Sequence, residues 1–549
     1  MTTTRRRREA TPDAAASAAT TVTGTLRLLR FGLRRDRVRL PVWALSVGGL
    51  IAYFGAAIPA VYPDAAAMQT RAAIMKDPSG AFMTGPGYGL DDYTFGVMIA
   101  NEMLGMIAVA VALMSLFLVV RHTRAEEETG RADLLRAGVV GRDAPLAAAL
   151  LLLVVANLAV AGVLLAALLA NGLAAADSAA IAAGAATVGL VFGALAAVTA
   201  QLSAHARTAS GMAGGILGLA YVLRGVGDAA QPGGSTLSWL SPIGWAQQTR
   251  AFVDLRWWPL LLGLGTAVLL VGGALLLVGR RDVGAGLVPA RGGRADARRA
   301  LLSPAGLAWR TERSGIAWWA VGLFVFAVLT GSMAQGIVDS FASQPQLAEV
   351  FGGAALDDVL SSTLSAFLAF FAMAVAVYAV VSVNRLNREE DDGRAGVVLA
   401  TAVSRPAWLG GTLLVTAVGS TLLLLVCGFG LGAGVASSVG GGGHVGAFTA
   451  AALVYLPVVL GFQAVAALAH GARAGTWWVW LLLVTSILVG LYGPLFNLPD
   501  AVLDAAPFAL VPHAPYEAVT VLPLALLTLT AGALTATAAV ALRRRDMTA

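Results

Sequence analysis

The amino-acid sequence predicts an all-α polytopic membrane protein, with about twelve transmembrane helices arranged as two parallel six-helix repeats. Three observations carry this. The 549-residue chain is 58% hydrophobic, with a mean hydropathy of +0.77 and only 12% charged residues, about half the charged share of a soluble domain. Its apolar residues gather into stretches near the ~20 residues that a helix needs to cross a bilayer. Finally, two charged islands, "RAEEETGRADLLRAGVVGR" (124–142) and "NREEDDGRAGVVLATAVSR" (387–405), share one skeleton of acids, Gly-Arg and a closing Arg. They lie a constant 263 positions apart.

The apolar stretches fall at 41–62, 95–120, 145–170, 178–202, 209–225 and 257–279 in the first half. The second half has 316–336, 363–384, 407–434, 447–469, 476–496 and 520–541. Basic residues are retained on the cytoplasmic side of a membrane. With the N-terminus inside, inner loops and tails hold 32 of the 37 Lys and Arg residues, leaving Arg71, Lys76, Arg224, Arg250 and Arg256 outside. Both termini are therefore expected on the cytoplasmic side of the membrane. The pI near 9.8 reflects topology and anionic lipid contact rather than nucleic acid. The single Cys427 sits in an apolar run, which excludes an intrachain disulfide and a thiolate metal site.

The repeat extends beyond the islands. "RDRVRLPVW" (35–43) matches "TERSGIAWW" (311–319), with Arg37 and Arg313 each six residues before Trp43 and Trp319. His205 and His470 end the fourth and tenth stretches, and "GRRD" (279–282) and "RRRD" (543–546) close the sixth and twelfth. Six spans per half start both halves on the same side, so the repeats are parallel. The expected domains are a disordered cytosolic tail (1–23), a first half (24–282), a Gly/Ala/Arg-rich linker (283–302) and a second half (303–549). Before each first span lies an expected interfacial elbow helix. In one, Arg27, Arg30, Arg34 and Arg37 oppose Leu26, Leu29 and Leu33; the other opens with Ser303 as N-cap and Pro304 at the first helical position.

Each island follows a descending span and precedes an ascending one. Glu127 and Glu128 are expected to carry the helix into water, and Gly130 to reverse the chain. Arg131, Asp133, Leu134 and Leu135 would then form a short helix with its leucines exposed, stopped by Arg142 near the headgroups. Glu390, Asp391, Gly393, Arg394, Val398, Leu399 and Arg405 are expected to do the same. Such a helix suits docking into a groove on a partner. The ordinary alternative is a solvated turn, which identical spacing in two copies disfavours.

These islands, the elbow before span one and the loop "STLSWLSPIGWAQQ" resemble the permeases of ABC-2 type exporters. The fused two-half form is most similar to actinobacterial polyketide-antibiotic (tetronasin-type) exporter permeases. The resemblance implies that the islands are coupling helices beneath which two copies of an ATPase subunit dock, with amphipathic or lipophilic cargo moved outward. The second copy departs from the pattern where Gly396 stands in place of Asp133, so the two docking surfaces are unequal. No phosphate-binding loop G-x-x-x-x-G-K-[ST] is possible, because the only lysine is Lys76, followed by Asp77. ATP and Mg would therefore be bound by the partner, and this chain would be a transport subunit rather than an enzyme.

The rival reading is a secondary multidrug transporter driven by an ion gradient. It requires ionisable groups deep in the spans, and Glu102, beside Asn101, meets that only in part. Glu102 is expected to reach the outer headgroups or to meet cationic cargo, with Arg224 as a candidate partner; its repeat counterpart is Ser365. A membrane enzyme is disfavoured because the five histidines are scattered without an H-E-x-x-H motif. At the outer mouth, Trp239, Pro242 and Trp245 in 228–258, and Pro507 and Pro512 in 498–520, mark a Pro-broken gate or re-entrant segment. Anchoring at the membrane interface by Trp is the simpler role.

Overall fold

The computed structural model describes residues 21–76, 78–282, 284–288, 296–335, 356–492, 499, 503 and 506–546. Among these residues the chain is all helix and turn, with eleven helices long and apolar enough to cross a membrane. It divides into two compact units, Met1–Gly292 and Gly293–Ala549.

In the first unit an amphipathic helix, Thr25–Arg35, starts at Gly24 in the left-handed conformation and turns at Asp36 into the first span, Arg39–Val61. Leu29 and Leu33 face the core and Arg27, Arg30 and Arg34 face out, the division expected of an interfacial helix. The second span begins at Phe95, passes through a π-helical turn at Ile99–Met103 and continues as Leu104–His122. Ala144–Ala170, Ala175–Leu202, Ala206–Ala230 and Pro259–Val278 follow. The second and fourth spans are mostly buried, whereas the first, fifth and sixth leave most of their length exposed. Small residues bring the inner spans together: a Cβ on Gly189 would meet Asn157, Val111 and Ser115 at 2.0–2.9 Å. Asn157 and Ser115 hydrogen-bond there at 3.0 Å, a polar tie between helices in an apolar medium.

The second unit departs from the first at its start. Ser303 does cap the helix, its Oγ accepting the Gly306 N–H at 3.1 Å. The helix then runs unbroken over Pro304–Ser332, so no separate elbow forms; elbow and first span are one rod. The sequence reason is local: a turn at Asp36 divides the first copy, whereas "TERSGIAWW" continues in helix. This rod crosses Arg405–Ser438 closely, since a Cβ on Gly331 or Gly434 would lie 2.2 Å from a backbone oxygen of the other helix. Leu356–Val383, a pair of helices Gly443–Leu453 and Leu456–Ala472 broken just before Pro457, and Val521–Arg544 complete the long helices.

The stretch expected to be the eleventh span is a helix of 16 residues, Trp477–Tyr492. Residues 493–498 lie outside the described residues, as do residues 1–20 of the expected tail, 283 and 289–295 of the expected linker, and 336–355 of an expected outer loop.

Candidate functional site

The charged islands are built as expected at their turning points. Each second span bends into a short helix, Arg124–Glu128 in one unit and Arg385–Asp391 in the other. A glycine then reverses the chain and a further short helix follows, Arg131–Arg136 or Arg394–Leu399. Gly130 has φ 72° and Gly393 φ 73°. An added Cβ would meet nothing within 4 Å at either, so glycine is required for conformation alone. Gly130→Ala and Gly393→Ala should therefore each cost about 1 kcal/mol, read as a lower Tm of the purified protein, with Asn tolerated better than Ala.

Glu128 stays exposed as expected, but Glu127 does not point into water. Glu127 is nearly buried and receives two cations: Arg281 donates to it at 2.5 and 2.8 Å, and the fully buried Arg124 at 2.7 Å. Arg281 belongs to the turn that ends the last span. Arg124 also donates to the carbonyls of Ala200 and Ala285 at 3.1 and 2.7 Å. Glu128 caps the fifth span, accepting the Ala206 N–H at 3.0 Å beside His205 Nδ1 at 3.3 Å. Glu126 pairs with Arg35 of the amphipathic helix. The closing Arg142 donates to the Val278 carbonyl at 2.9 Å, at the C-terminal end of the last span, where a cation is favoured by the unpaired carbonyls and the helix dipole.

The second unit repeats this clamp. Glu390 is buried and pairs with Arg545, the residue that stands where Arg281 stands when "GRRD" and "RRRD" are aligned. Arg405 donates to the Arg545 and Arg543 carbonyls at 2.6 and 3.4 Å, as Arg142 does to Val278. The elbow positions agree as well. Asp36 is fully buried, with Arg121 at 2.7 Å and His122 at 2.5 Å. Its counterpart Glu312 pairs with Arg385, the counterpart of His122. Each island is thus tied to the elbow on one side and to the end of the last span on the other. The copies differ at the buried arginine: Arg124 gives way to Asn387, whose Oδ1 meets His470 Nδ1 at 2.6 Å, while His470 Nε2 lies 3.9 Å from Glu390.

Arg281, Arg545, Asp36 and Glu312 were not singled out from the sequence. The signal was present in the repeat itself, because all four occupy matched positions in the aligned strings. What was missing is that their partners lie 73 to 155 residues away.

The short helices present apolar tips. Ala132 and Ala395 are the buried seats, while Leu134 is 79% exposed and its counterpart Val397 74% exposed. Arg131, Asp133, Asp391 and Arg394 are exposed around them. In the second copy the expected tips, Val398 and Leu399, are half-buried against the core of their unit, so Val397 replaces them as the outward residue. The reason is helical phase: 397 lies two residues from the seat at Ala395, on the far side of the helix. The Leu135 side chain lies outside the described residues.

At the opposite end of the first unit, Glu102 is buried rather than facing headgroups. Its partner is not Arg224 but Arg71, which donates to it at 2.9 and 2.6 Å. Tyr93 also donates at 2.7 Å. Burial disfavours the Arg71 charge, but Glu102 outweighs this and holds the guanidinium above its ordinary range. Burial, then the Glu102 carboxylate, push the Tyr93 phenol well up. The π turn at Ile99–Met103 carries Asn101 and Glu102. Asn101 holds the Tyr88 backbone through both its amide atoms, at 3.0 and 2.8 Å. Arg224, fully buried, pairs within its own helix with Asp228 at 3.3 Å and stacks on Tyr221. Glu102→Gln should leave Arg71 uncompensated and cost about 3 kcal/mol. Glu102→Gln combined with Arg71→Met should recover part of that loss, measured as a double-mutant cycle on unfolding.

The Pro-broken segment after Ala230 is folded into the first unit. A short helix, Pro242–Gln247, is capped by Ser241, and its Gln247 amide donates to the Thr84 and Asn101 carbonyls at 2.9 and 3.3 Å. Trp245 Nε1 donates to the Trp239 carbonyl at 2.6 Å, and Trp239 stacks on Trp258. Irregular backbone buried in protein is the form that membrane depth permits. Pro507 and Pro512 are half-buried in irregular backbone before the last helix of the second unit; residues 498, 500–502 and 504–505 are outside the described residues.

Eleven apolar helices, an all-helical core and charge gathered at helix ends define a multi-pass membrane protein. Residues 27–277 and 301–543 match the family model described as multidrug efflux system permease Rv1217c, C-terminal domain. The chain is also 40% identical over 533 residues to the multidrug efflux system permease protein Rv1217c of Mycobacterium tuberculosis, covering 96% of this chain and 95% of that one. The chain belongs to this family of multidrug efflux permeases.

Proposed function

We propose that this chain is the membrane subunit of an ATP-driven ABC exporter. Two copies of a separate ATPase dock on the islands, bind ATP and Mg, and drive lipophilic or amphipathic drug-like compounds outward. The cargo class follows the likeness to polyketide-antibiotic exporters. Islands and both termini face the cytoplasm, in keeping with the placement of 32 of 37 basic residues in loops and tails on that side.

The observation that carries the reading is the doubled clamp. In each unit an outward-facing apolar tip sits on a helix whose neighbouring acid is ion-paired to the end of the last span. A force on the tip is then delivered to the spans through buried, charge-assisted bonds rather than lost in a flexible loop. With no phosphate-binding loop in the sequence, this reading assigns nucleotide chemistry to another polypeptide. The relative named as a multidrug efflux system permease supports efflux as the outcome.

Purification of the chain from its native membrane tests this. A stoichiometric ATPase, and drug uptake into inverted vesicles that requires ATP and survives a protonophore, are expected. Gradient-driven uptake by the chain alone would overturn it in favour of a secondary transporter.

A further inference from the structure

The first unit contains an apolar groove of about 860 Å³ that the clamp does not use. Its walls are Ala147, Leu151 and Val154 of the third span and Val268, Val271 and Leu275 of the sixth, with the start of the amphipathic helix across its mouth. Three features fix the chemistry of an occupant.

The first is depth. The sixth-span wall runs from Leu264 to Leu275, about 16 Å at 1.5 Å per residue, or half of a ~30 Å hydrocarbon core. The groove lies at the island end, because the same span finishes at Val278, where Arg142 is bound, and the third span starts beside the island at Ala144. It is therefore one leaflet deep. The second is composition. Below the rim every lining residue is Ala, Val or Leu, whereas a site for a drug-like molecule carries a few placed polar groups that orient it. The third is the rim itself. Arg27 lines the mouth, and Arg30 lies one turn on; both are exposed and neither has an ion-pair partner among the described residues.

The geometry points to an anionic phospholipid as the resident of this groove, one acyl chain between the third and sixth spans and the phosphate at Arg27. An unpaired Arg at headgroup level supplies the preference for negative charge, and the branched aliphatic walls take the chain. The site belongs to the first unit. With "GRRD" and "RRRD" aligned, the positions matching Leu264, Val268, Val271 and Leu275 hold Thr528, Gly532, Thr535 and Ala539, a wall of different shape and polarity.

The test uses the full chain in vesicles containing phosphatidylglycerol or phosphatidylcholine with a photoreactive group in the acyl chain, with labelled peptides mapped by mass spectrometry. Labelling of the exposed Val521–Leu522 surface of the second unit provides a reference for bulk lipid. Relative to it, the peptides carrying residues 147–154 and 264–275 should be labelled about fivefold more by phosphatidylglycerol than by phosphatidylcholine, the factor expected of one basic residue near the surface. Val271→Trp, which fills the groove, should remove that labelling while the reference is unchanged. Arg27→Gln, an exposed change that the fold tolerates, should keep the labelling and erase the preference. Equal labelling by the two lipids, or a preference that survives Arg27→Gln, overturns the proposal, and this second variant decides if the first fails to fold. Displacement of the label by a lipophilic efflux dye would make the groove a cargo site and also overturn it. So would a rise in labelling after removal of residues 1–20, which would make the groove the seat of the chain's own N-terminus.

Discussion

Glu127→Gln is expected to destabilise the first unit by about 3–5 kcal/mol and to abolish efflux. Removing that one charge leaves Arg124, with no exposed side-chain surface, and Arg281, 7% exposed, facing an amide in place of a carboxylate. Breaking a buried pair is costly because the surviving charge loses its compensation without regaining water. Here two cations survive. The glutamine keeps the shape and can still donate or accept single hydrogen bonds, so the loss reports charge and not volume. The measurement is a lowered Tm of the purified protein, together with drug uptake into inverted vesicles. Glu390→Gln should act in the same direction and more weakly, because Glu390 balances one arginine where Glu127 balances two. A cycle of Glu127→Gln with Arg281→Leu should show strong coupling, since the two groups share two charge-assisted bonds. An unchanged Tm with full efflux for Glu127→Gln would remove the clamp from the mechanism.

Leu134→Asp combined with Val397→Asp is expected to have the opposite signature: an unchanged Tm and at least a tenfold loss of partner ATPase on co-purification. Both side chains are exposed in the isolated chain, so charging them costs the fold little. A buried aliphatic anchor at a docking surface is a different matter, because truncating or charging one typically costs several kcal/mol of binding, about 1.4 kcal/mol per factor of ten. Val398→Asp serves as the contrast. That side chain packs against the core of its unit, so its change should lower Tm as well. If the double tip variant retains the ATPase, the partner docks elsewhere, and the clamp serves stability alone.

Taken together, the two experiments separate gripping from transmission. A tip variant that is stable but unpartnered and a clamp variant that is partnered but inactive would place the two functions on different residues of one island. The first unit should be the more sensitive to loss of the clamp acid, because its clamp carries Arg124 in addition to Arg281.

Much of this was legible before any coordinates. Hydropathy located every long helix to within a few residues at most ends, because a bilayer imposes a length and an apolar composition that are written continuously along the chain. The turns at Gly130 and Gly393 were readable from residue type, since only glycine adopts a left-handed reversal at no steric cost. The constant offset of 263 marked the two islands as equivalent, and "GRRD" with "RRRD" marked the ends of the last spans. Periodicity also placed Leu29 and Leu33 of Thr25–Arg35 on its inward side, but not Leu26, which shares their face by spacing and yet is exposed.

Tertiary structure alone decided what the charges do. Glu127 and Glu390 read as solvated acids next to a turn, yet their arginines approach from 154 and 155 residues away, a distance that no local pattern encodes. Arg224 was the cation expected to meet Glu102, yet the fold of Ala65–Lys76 brings Arg71 to it instead. Whether the second elbow was a separate helix, and which of Val397, Val398 and Leu399 faced outward, also turned on packing. The physical reason is common to all of these. Burial in a membrane is a property of single segments and is summed along the chain, whereas an ion pair is a property of two segments, and the chain states each half without stating that they meet.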